Sequence, residues 1–329
     1  MPAAEAGTPG RPAPARLPAR RPPWLLAVAV LFVLASVNWL LQPNFLRPGV
    51  LASNIAAFLP MALVAVGQTY VVLASDIDLS AGAIVSLVNV TVVTIIETMG
   101  GTGTSIALGL ATGIAVGLCA GAVNGFCVAV LRLQAIVTTF ATGIVFSGLA
   151  LWVLPEAGRQ VPPEFYTAYA GAWLWVPTVI WILVAAALFA AVVSRTRYYH
   201  ALRAVGGNMQ AAYQTGLPVA RVRLTAYVIS GLFSALAALA LVGETASGDP
   251  LIGQALTLSS ITAVVLGGTA LSGSVGGVAG SILGAFILGL IGNVIFFAQL
   301  PFEWQGLVKG LIILAALAGG VVMARGRAE

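Results

Sequence analysis

An all-α polytopic membrane protein is the fold class this sequence predicts, and three observations predict it. Of 329 residues only 8% are charged while 60% are hydrophobic, and the mean hydropathy is +1.02. A soluble domain carries roughly 25% charged residues, so this chain cannot cover a water-facing surface with charge. Apolar runs of about 20 residues recur along the chain, the length needed to cross a bilayer core about 30 Å thick. There are also 38 glycines, a residue commoner in transmembrane helices than in soluble ones. The runs amount to about ten transmembrane helices, within a range of roughly eight to ten.

Taken in order, residues 1–23 are rich in Pro, Ala and Arg without apolar periodicity and read as a disordered tail. Arg20-Arg21 before an apolar run has the look of an export signal. The run continues from Trp24 to Leu41 without a small-residue cleavage site, so it reads as a first span with basic flanks. Further spans are expected near 52–74, 80–98, 104–131, 135–154, 173–194, 224–244, 257–272, 275–297 and 304–323. The segment 80–98 follows a polar break and 257–272 is short and glycine-broken, so either is a candidate half-helix. The transmembrane domain then covers 24–323, interrupted by a hydrophilic loop at 195–223, with 324–329 a short tail.

Orientation follows from the cations, which gather on the cytoplasmic side of membrane proteins. With the N-terminus inside, that side collects Arg11, Arg16, Arg20, Arg21, Arg132, Arg195, Arg197, Arg203, Arg221, Arg223, Arg325 and Arg327, and the outer side only Arg47 and Arg159. Both termini and the 195–223 loop are then cytoplasmic. Glu97, Glu156, Glu164, Glu244, Asp249 and Glu303 fall at or near the outer face. The net charge of +5 therefore reflects topology, and no nucleic-acid partner is expected. Spans two to five would run opposite to spans seven to ten, so a repeat between them would be inverted, as in many transporters. GIAVGLCAGAVNG in the fourth span loosely echoes GSILGAFILGLIGN in the ninth.

Within the spans, Gly109, Gly113, Gly117, Gly121 and Gly125 recur every four residues, as do Gly276, Gly280 and Gly284. Small residues at this spacing make a flat face for close helix packing. Cys119 and Cys127 are too far apart on one helix for a disulfide and read as core packing. Asp76 and Asp78, in SDIDLSAG, are the deepest acids. With Ser80 they suit either capping of the third span or contact with a solute at a gate. Asn124, Thr138, Thr139, Thr142, Asn293 and Gln305 are polar residues in apolar spans, read first as interhelical hydrogen bonds and second as pathway lining. Glu303, Trp304 and Lys309 read as interfacial anchors. Arg47 and Arg159 are either solvated rim charges or steering charges for a docking protein.

The loop RTRYYHALRAVGGNMQAAYQTGLPVARVR carries the most local information. Gly206-Gly207 should end one helix, Asn208 should cap another, and Gly216 with Pro218 should stop it. A helix of about seven residues is unstable alone, so it gains its order by packing on the membrane domain or on another protein. Other chemistry has no support. There is no G-x-x-x-x-G-K-[ST] phosphate loop, the single lysine is Lys309, and the single histidine, His200, lies in the basic loop without metal or triad partners. No cofactor, metal or catalytic residue is expected.

At this point the chain resembles a known family, the membrane permease subunits of bacterial ABC importers of the ribose, xylose, arabinose and galactose type. The likeness runs from about residue 50 to 323 and rests on DIDLSAGAIVSL (76–87), GAVNG with IVTTFATG (121–143), ALRAVGGNMQAAYQTGL (201–217) and ITAVVLGGTALSGSVGGVAGSILGA (261–285). Two departures bear on the solute: Ser259 stands where many sugar permeases have an acid, and Thr139 breaks the IVTLGT-like pattern that Thr138 keeps. The resemblance implies an inner-membrane permease for a monosaccharide delivered by a periplasmic solute-binding protein. It implies a second permease copy or close paralogue, ABC ATPase subunits that hydrolyse the ATP, and ATPase coupling through Gly206, Gly207, Asn208, Ala211, Ala212, Thr215 and Gly216. The alternatives are a non-sugar solute (a branched-chain amino acid, a nucleoside or a signalling furanose) or an ion-coupled secondary transporter.

Overall fold

The computed structural model describes residues 24–301, 303–308, 310, 311 and 314. The helices are α1 (Trp24–Leu41), α2 (Pro48–Leu73), α3 (Ala81–Thr98), α4 (Gly103–Gly125), which a π-helical turn Phe126–Val130 prolongs, α5 (Ala135–Val153) and α6 (Pro163–Ala170). A two-stranded hairpin of β1 (Ala172–Trp173) and β2 (Val176–Pro177) precedes α7 (Thr178–Ser194). Then come α8 (Arg197–Gly207), α9 (Met209–Gln214), α10 (Val219–Thr245), α11 (Gln254–Leu266) and α12 (Val278–Phe297). Among the described residues six helices are long and apolar enough to cross a membrane, or seven if α7 and α8, bent by 76°, form one broken span. The chain is thus a helical, multi-pass membrane protein. The two tails, Lys309 and most of the expected 304–323 span lie outside the described residues.

The centre of the bundle is α10, packed on α2, α3 and α4 around Tyr70, Tyr227 and Phe233, all fully buried. Its contact with α4 is made by glycines. A Cβ on Gly231 would sit 2.1 Å from the Gly117 carbonyl oxygen, and one on Gly121 would sit 2.4 Å from that of Tyr227. Upstream, Gly109 and Gly113 meet Ile96 and Val92 of α3 instead. The four-residue stripe read from sequence therefore serves two neighbours in succession. Bilayer lipid is as apolar as a side chain, so close van der Waals approach, which small residues permit, is what holds such helices together.

Two stretches of non-helical backbone lie inside this bundle. Residues 74–80 link α2 to α3, and 246–253 run alongside α3 before α11 begins. Irregular backbone at membrane depth survives only where protein satisfies its polar groups. Here Thr139 Oγ1 accepts the Leu79 N–H at 3.0 Å, Asn89 Oδ1 the Asp249 N–H at 2.8 Å, and Ser86 Oγ the Gly253 N–H at 3.0 Å. The short α11 is the half-helix expected around 257–272, and α3 by contrast is a full-length helix.

Three expectations are corrected. The first residues of the expected 173–194 span form the hairpin, because Pro177 has no N–H to give a helix interior and sits at the N-cap of α7. The helix expected at 224–244 begins at Val219 and carries Arg221 and Arg223 on its first turns. Cys119 is exposed and Cys127 only half-buried. Hydrophobicity does not distinguish a lipid-facing side chain from a core one.

The same substitution should act oppositely at two glycines. Gly231→Ala inserts a methyl group into a backbone contact and should destabilise by about 1–3 kcal/mol. Gly148→Ala, where nothing lies within 4 Å, should be neutral or better, since alanine is about 1 kcal/mol more favourable in a helix. Thermal unfolding midpoints of the purified variants decide it.

Candidate functional site

The basic loop folds as two short helices at an angle to the bundle. Thr196 caps α8 by accepting the Tyr199 N–H. Asn208 then leaves the helical region (φ −158°, ψ 100°), so α8 stops, and its side-chain oxygen accepts the Ala211 N–H at 2.9 Å to begin α9. Gly216, at φ 80°, lets the chain turn back: its N–H and that of Leu217 bond to the Tyr213 and Ala212 carbonyls, and Pro218 follows. Thr215 donates its hydroxyl to Ala212 O at 2.8 Å. Ala212 faces inward and is buried, while Met209 and Tyr213, four residues apart on the opposite face, are 38% and 69% exposed. Ala211 and Gly207 are exposed as well.

The root of this segment is backbone against backbone. A Cβ on Gly206 would fall 1.8 Å from the Leu73 carbonyl oxygen at the end of α2, leaving space for glycine alone. That same carbonyl accepts the Ser274 N–H at 3.1 Å, and Arg203 Nε donates to Ser274 O at 2.7 Å. Gly273, at φ 83°, closes on Gly206 O in turn. The α8–α9 segment is therefore seated on the end of α2 and on the 267–277 loop. Burial pushes the Tyr199 phenol above its usual range, although nearby Arg203 pulls the other way.

Next to this root lies a polar relay. Arg223 on α10 grips Asp76 with two bonds of 2.8 Å, Nε to Oδ2 and Nη2 to Oδ1, with side-chain exposures of 12% and 7%. Its Nη1 reaches the Val128 carbonyl of the π-helical turn at 3.4 Å. Asp78, fully buried, accepts from the Ser80 N–H (2.9 Å), the Ser80 hydroxyl (2.6 Å) and the Ser230 hydroxyl on α10 (3.0 Å). Asn124 Nδ2 donates to Ser80 Oγ at 2.6 Å and its Oδ1 accepts the Thr142 hydroxyl at 2.6 Å. The relay thus runs Asp78–Ser80–Asn124–Thr142, from the α2–α3 break to α5. It emerges in a groove of about 410 Å³ on the α4–α5 face, lined by Cys127, Leu133, Gln134, Val137, Thr138, Ala141 and Thr142.

Of the residues singled out from sequence, Asp76, Asp78, Ser80, Asn124 and Thr138 gather here. Asn293 does not: it bonds Asn54 at 3.0 Å between α12 and α2. Neither Asp78 nor Ser80 caps α3 by a side chain. Thr257 of α11 does so from outside, accepting the Gly82 N–H at 3.1 Å. Arg159 pairs with Glu97 at 3.2 Å on the exposed rim, and Arg47 is exposed ahead of α2. Sequence reasoning missed the Arg223–Asp76 pair and the exposed Met209–Tyr213 face. The second was within reach, because an apolar pair spaced by four on a capped helix marks one surface.

The sequence pattern of the family described as branched-chain amino acid transport system / permease component matches residues 50–317. A ribose import permease of Bacillus subtilis is 34% identical over 291 residues, covering 87% of this chain and 89% of that protein. An L-arabinose transport system permease of Escherichia coli is 32% identical over 295 residues, 89% and 88% of the two chains. An autoinducer 2 import system permease of Escherichia coli is 30% identical over 295 residues, 89% and 84%. The chain belongs to this permease family.

Removing one partner of a buried ion pair leaves the other charge stranded and costs about 3–5 kcal/mol, whereas replacing both by apolar groups is close to neutral. Arg223→Met should therefore lower the unfolding midpoint in lipid nanodiscs sharply, and Asp76→Leu added to it should restore most of the loss. A double variant no more stable than the single one would show that the pair does not act as a unit.

Proposed function

We propose, from that membership, that this chain is the membrane-spanning subunit of an ATP-binding-cassette importer and forms the translocation pathway for a monosaccharide. Its relatives are named for ribose and L-arabinose import, and the chain carries no nucleotide-binding loop of its own, so ATP hydrolysis is assigned to separate ATPase subunits. The observation that carries the reading is the seated α8–α9 segment, a capped helix that turns Met209 and Tyr213 outward at the basic end of the bundle. In the inner membrane, with both termini and this segment cytoplasmic, that helix is the docking element for the ATPase. Gly206, Gly207, Asn208, Ala211, Ala212, Thr215 and Gly216 shape it. Arg47 and Arg159 lie at the opposite, outer end, where a periplasmic solute-binding protein delivers its cargo.

The relay and its groove supply the pathway side of the mechanism. A groove open along the exposed α4–α5 face is half a channel, and a second copy or close paralogue closes it. Thr138, Thr142 and Gln134 offer hydroxyl and amide groups suited to a sugar, on an otherwise apolar wall. Movement of α9 reaches α10 directly through the turn at Gly216–Pro218. From α10 it reaches Asp76 through Arg223 and Asp78 through Ser230. The apolar segments then read as eight to ten crossings, with α1 and the stretch from Glu303 onward joining the long helices and α11 remaining a half-helix, and spans two to five repeating as seven to ten in inverted sense.

Tyr213 is exposed, so changes there spare the core. Tyr213→Pro removes a helix hydrogen bond and breaks α9, and should lower sugar-stimulated ATPase activity of the reconstituted importer by roughly tenfold or more. Sugar binding by the solute-binding protein should be unchanged. Full stimulated activity in Tyr213→Pro would overturn the coupling assignment.

A further inference from the structure

The hairpin before α7 is built against its own backbone preferences. Ala172 pairs with Pro177 and Trp173 with Val176, so Leu174 and Trp175 form a two-residue turn. Both have positive φ, 52° and 65°. Such turns favour Asn-Gly, because a Cβ of ordinary size is strained in the left-handed region. This turn instead holds two large apolar side chains and presents them outward. Trp175 is 100% exposed, and Trp173 and Leu174 are about two-thirds exposed.

What they face follows from where the hairpin is fastened. Trp181 Nε1 donates to Trp173 O at 3.1 Å, and the two indole rings lie 5.4 Å apart, edge to face. Trp181 is the first of an exposed apolar stripe on α7 that continues through Val184, Leu188 and Val192 at helical spacing. On a membrane-spanning helix that stripe is the lipid face, and the hairpin continues it. No charged residue occurs between Glu164 and Arg195, whereas the rim of a protein-docking surface is polar. The α7 helix has 17 residues, about 26 Å at 1.5 Å per residue, short of an apolar core about 30 Å thick. The hairpin supplies the missing apolar length at its N-terminal end. Tryptophan is the residue that concentrates at membrane–water interfaces.

We propose that the Trp173-Leu174-Trp175 tip is a lipid anchor, seated at the boundary of headgroups and acyl chains beside the N-terminal end of α7. The partner is the bilayer itself. The leaflet, the outer one, rests on the orientation proposed above, but the lipid contact does not. Because α7 leads through Arg195 into α8, an anchor at its far end fixes the depth of the helix that carries the α8–α9 segment.

The test places a fluorophore at the tip. Trp175→Cys and, as a reference on an exposed loop, Glu156→Cys are made in a Cys119→Ala, Cys127→Ala background, labelled with nitrobenzoxadiazole and set in phosphatidylcholine nanodiscs. The label at 175 should emit at shorter wavelength than that at 156, be quenched by lipids brominated on the upper acyl chain, and resist aqueous iodide. Iodide quenching equal to that at 156, with no effect of brominated lipid, would overturn the proposal. So would shielding that appears only when the solute-binding protein is added, which would give the tip to a protein partner. Intrinsic fluorescence checks that the label itself is not the cause: brominated lipid should quench a smaller share of emission in unlabelled Trp175→Phe than in the parent chain, and an equal share would count against the anchor.

Discussion

The Arg223 guanidinium joins three places where regular helix fails at one end of the bundle. It stands on the first turns of α10, grips Asp76 in the break between α2 and α3, and reaches the carbonyl of Val128 in the π-helical turn that ends α4. A buried guanidinium persists only with its donors matched, and a bidentate carboxylate matches its planar fork better than any other side chain does. Each of the three segments has backbone groups that no helix satisfies. Their relative placement is therefore set by side chains, and the charged pair is the strongest of these. The α2–α3 turn in turn positions Asp78 and Ser80, so the whole relay to Thr142 depends on where Arg223 holds it.

A charged joint and an interface of closely packed helix backbones coexist a few turns apart. Along α4 and α10 the contact is Gly117, Gly121 and Gly231 with Tyr227 and Ala235. Flat faces of this kind bring backbones close, and the long α10 side chains that meet the α4 glycines do so only toward the ends, Leu224 at Gly125 and Leu239 at Gly113, so around Gly117 and Gly121 a small change of tilt is not opposed by interlocked side chains. The joint at Arg223 offers no such freedom. On the coupling role proposed for α9, displacement entering there would pivot about the joint and be taken up along the glycine faces. That division of labour suits alternating access, in which packed helices rock about a fixed point rather than deform.

Much of this was legible in the sequence, and the part that was not has physical causes. The double helix of the basic loop could be read residue by residue, because capping by Asn208 and termination by Gly216 and Pro218 are local events. The glycine stripe was legible for the same reason, though not that α3 takes its first half and α10 its second. The Asp76–Arg223 pair joins residues 147 apart, and no local rule connects them. The hairpin was hidden inside an expected span, since its turn holds Leu174 and Trp175 where the usual signal would be Asn-Gly. Cys119 was misplaced because an apolar solvent removes the contrast on which burial arguments rest. Asp78, Ser80 and Asn124 were recognisable as polar residues at depth, yet only the fold shows that they bond to one another while Asn293 stands apart.

The interruption between α8 and α9 has a mechanical reason. A six-residue helix barely exceeds the costly first turn and has no stability of its own. It can bear load only if both ends and one face are fixed from outside. Asn208 fixes one end twice over: its N–H closes α8 on the Ala204 carbonyl at 3.1 Å, and its side chain opens α9 on the Ala211 N–H. Gly216 and Leu217 fix the other end, and buried Ala212 fixes the face. A continuous helix through 197–214 would have no such corner. The Gly-Gly-Asn break lets one segment grip the membrane domain with backbone and present a separate apolar surface outward.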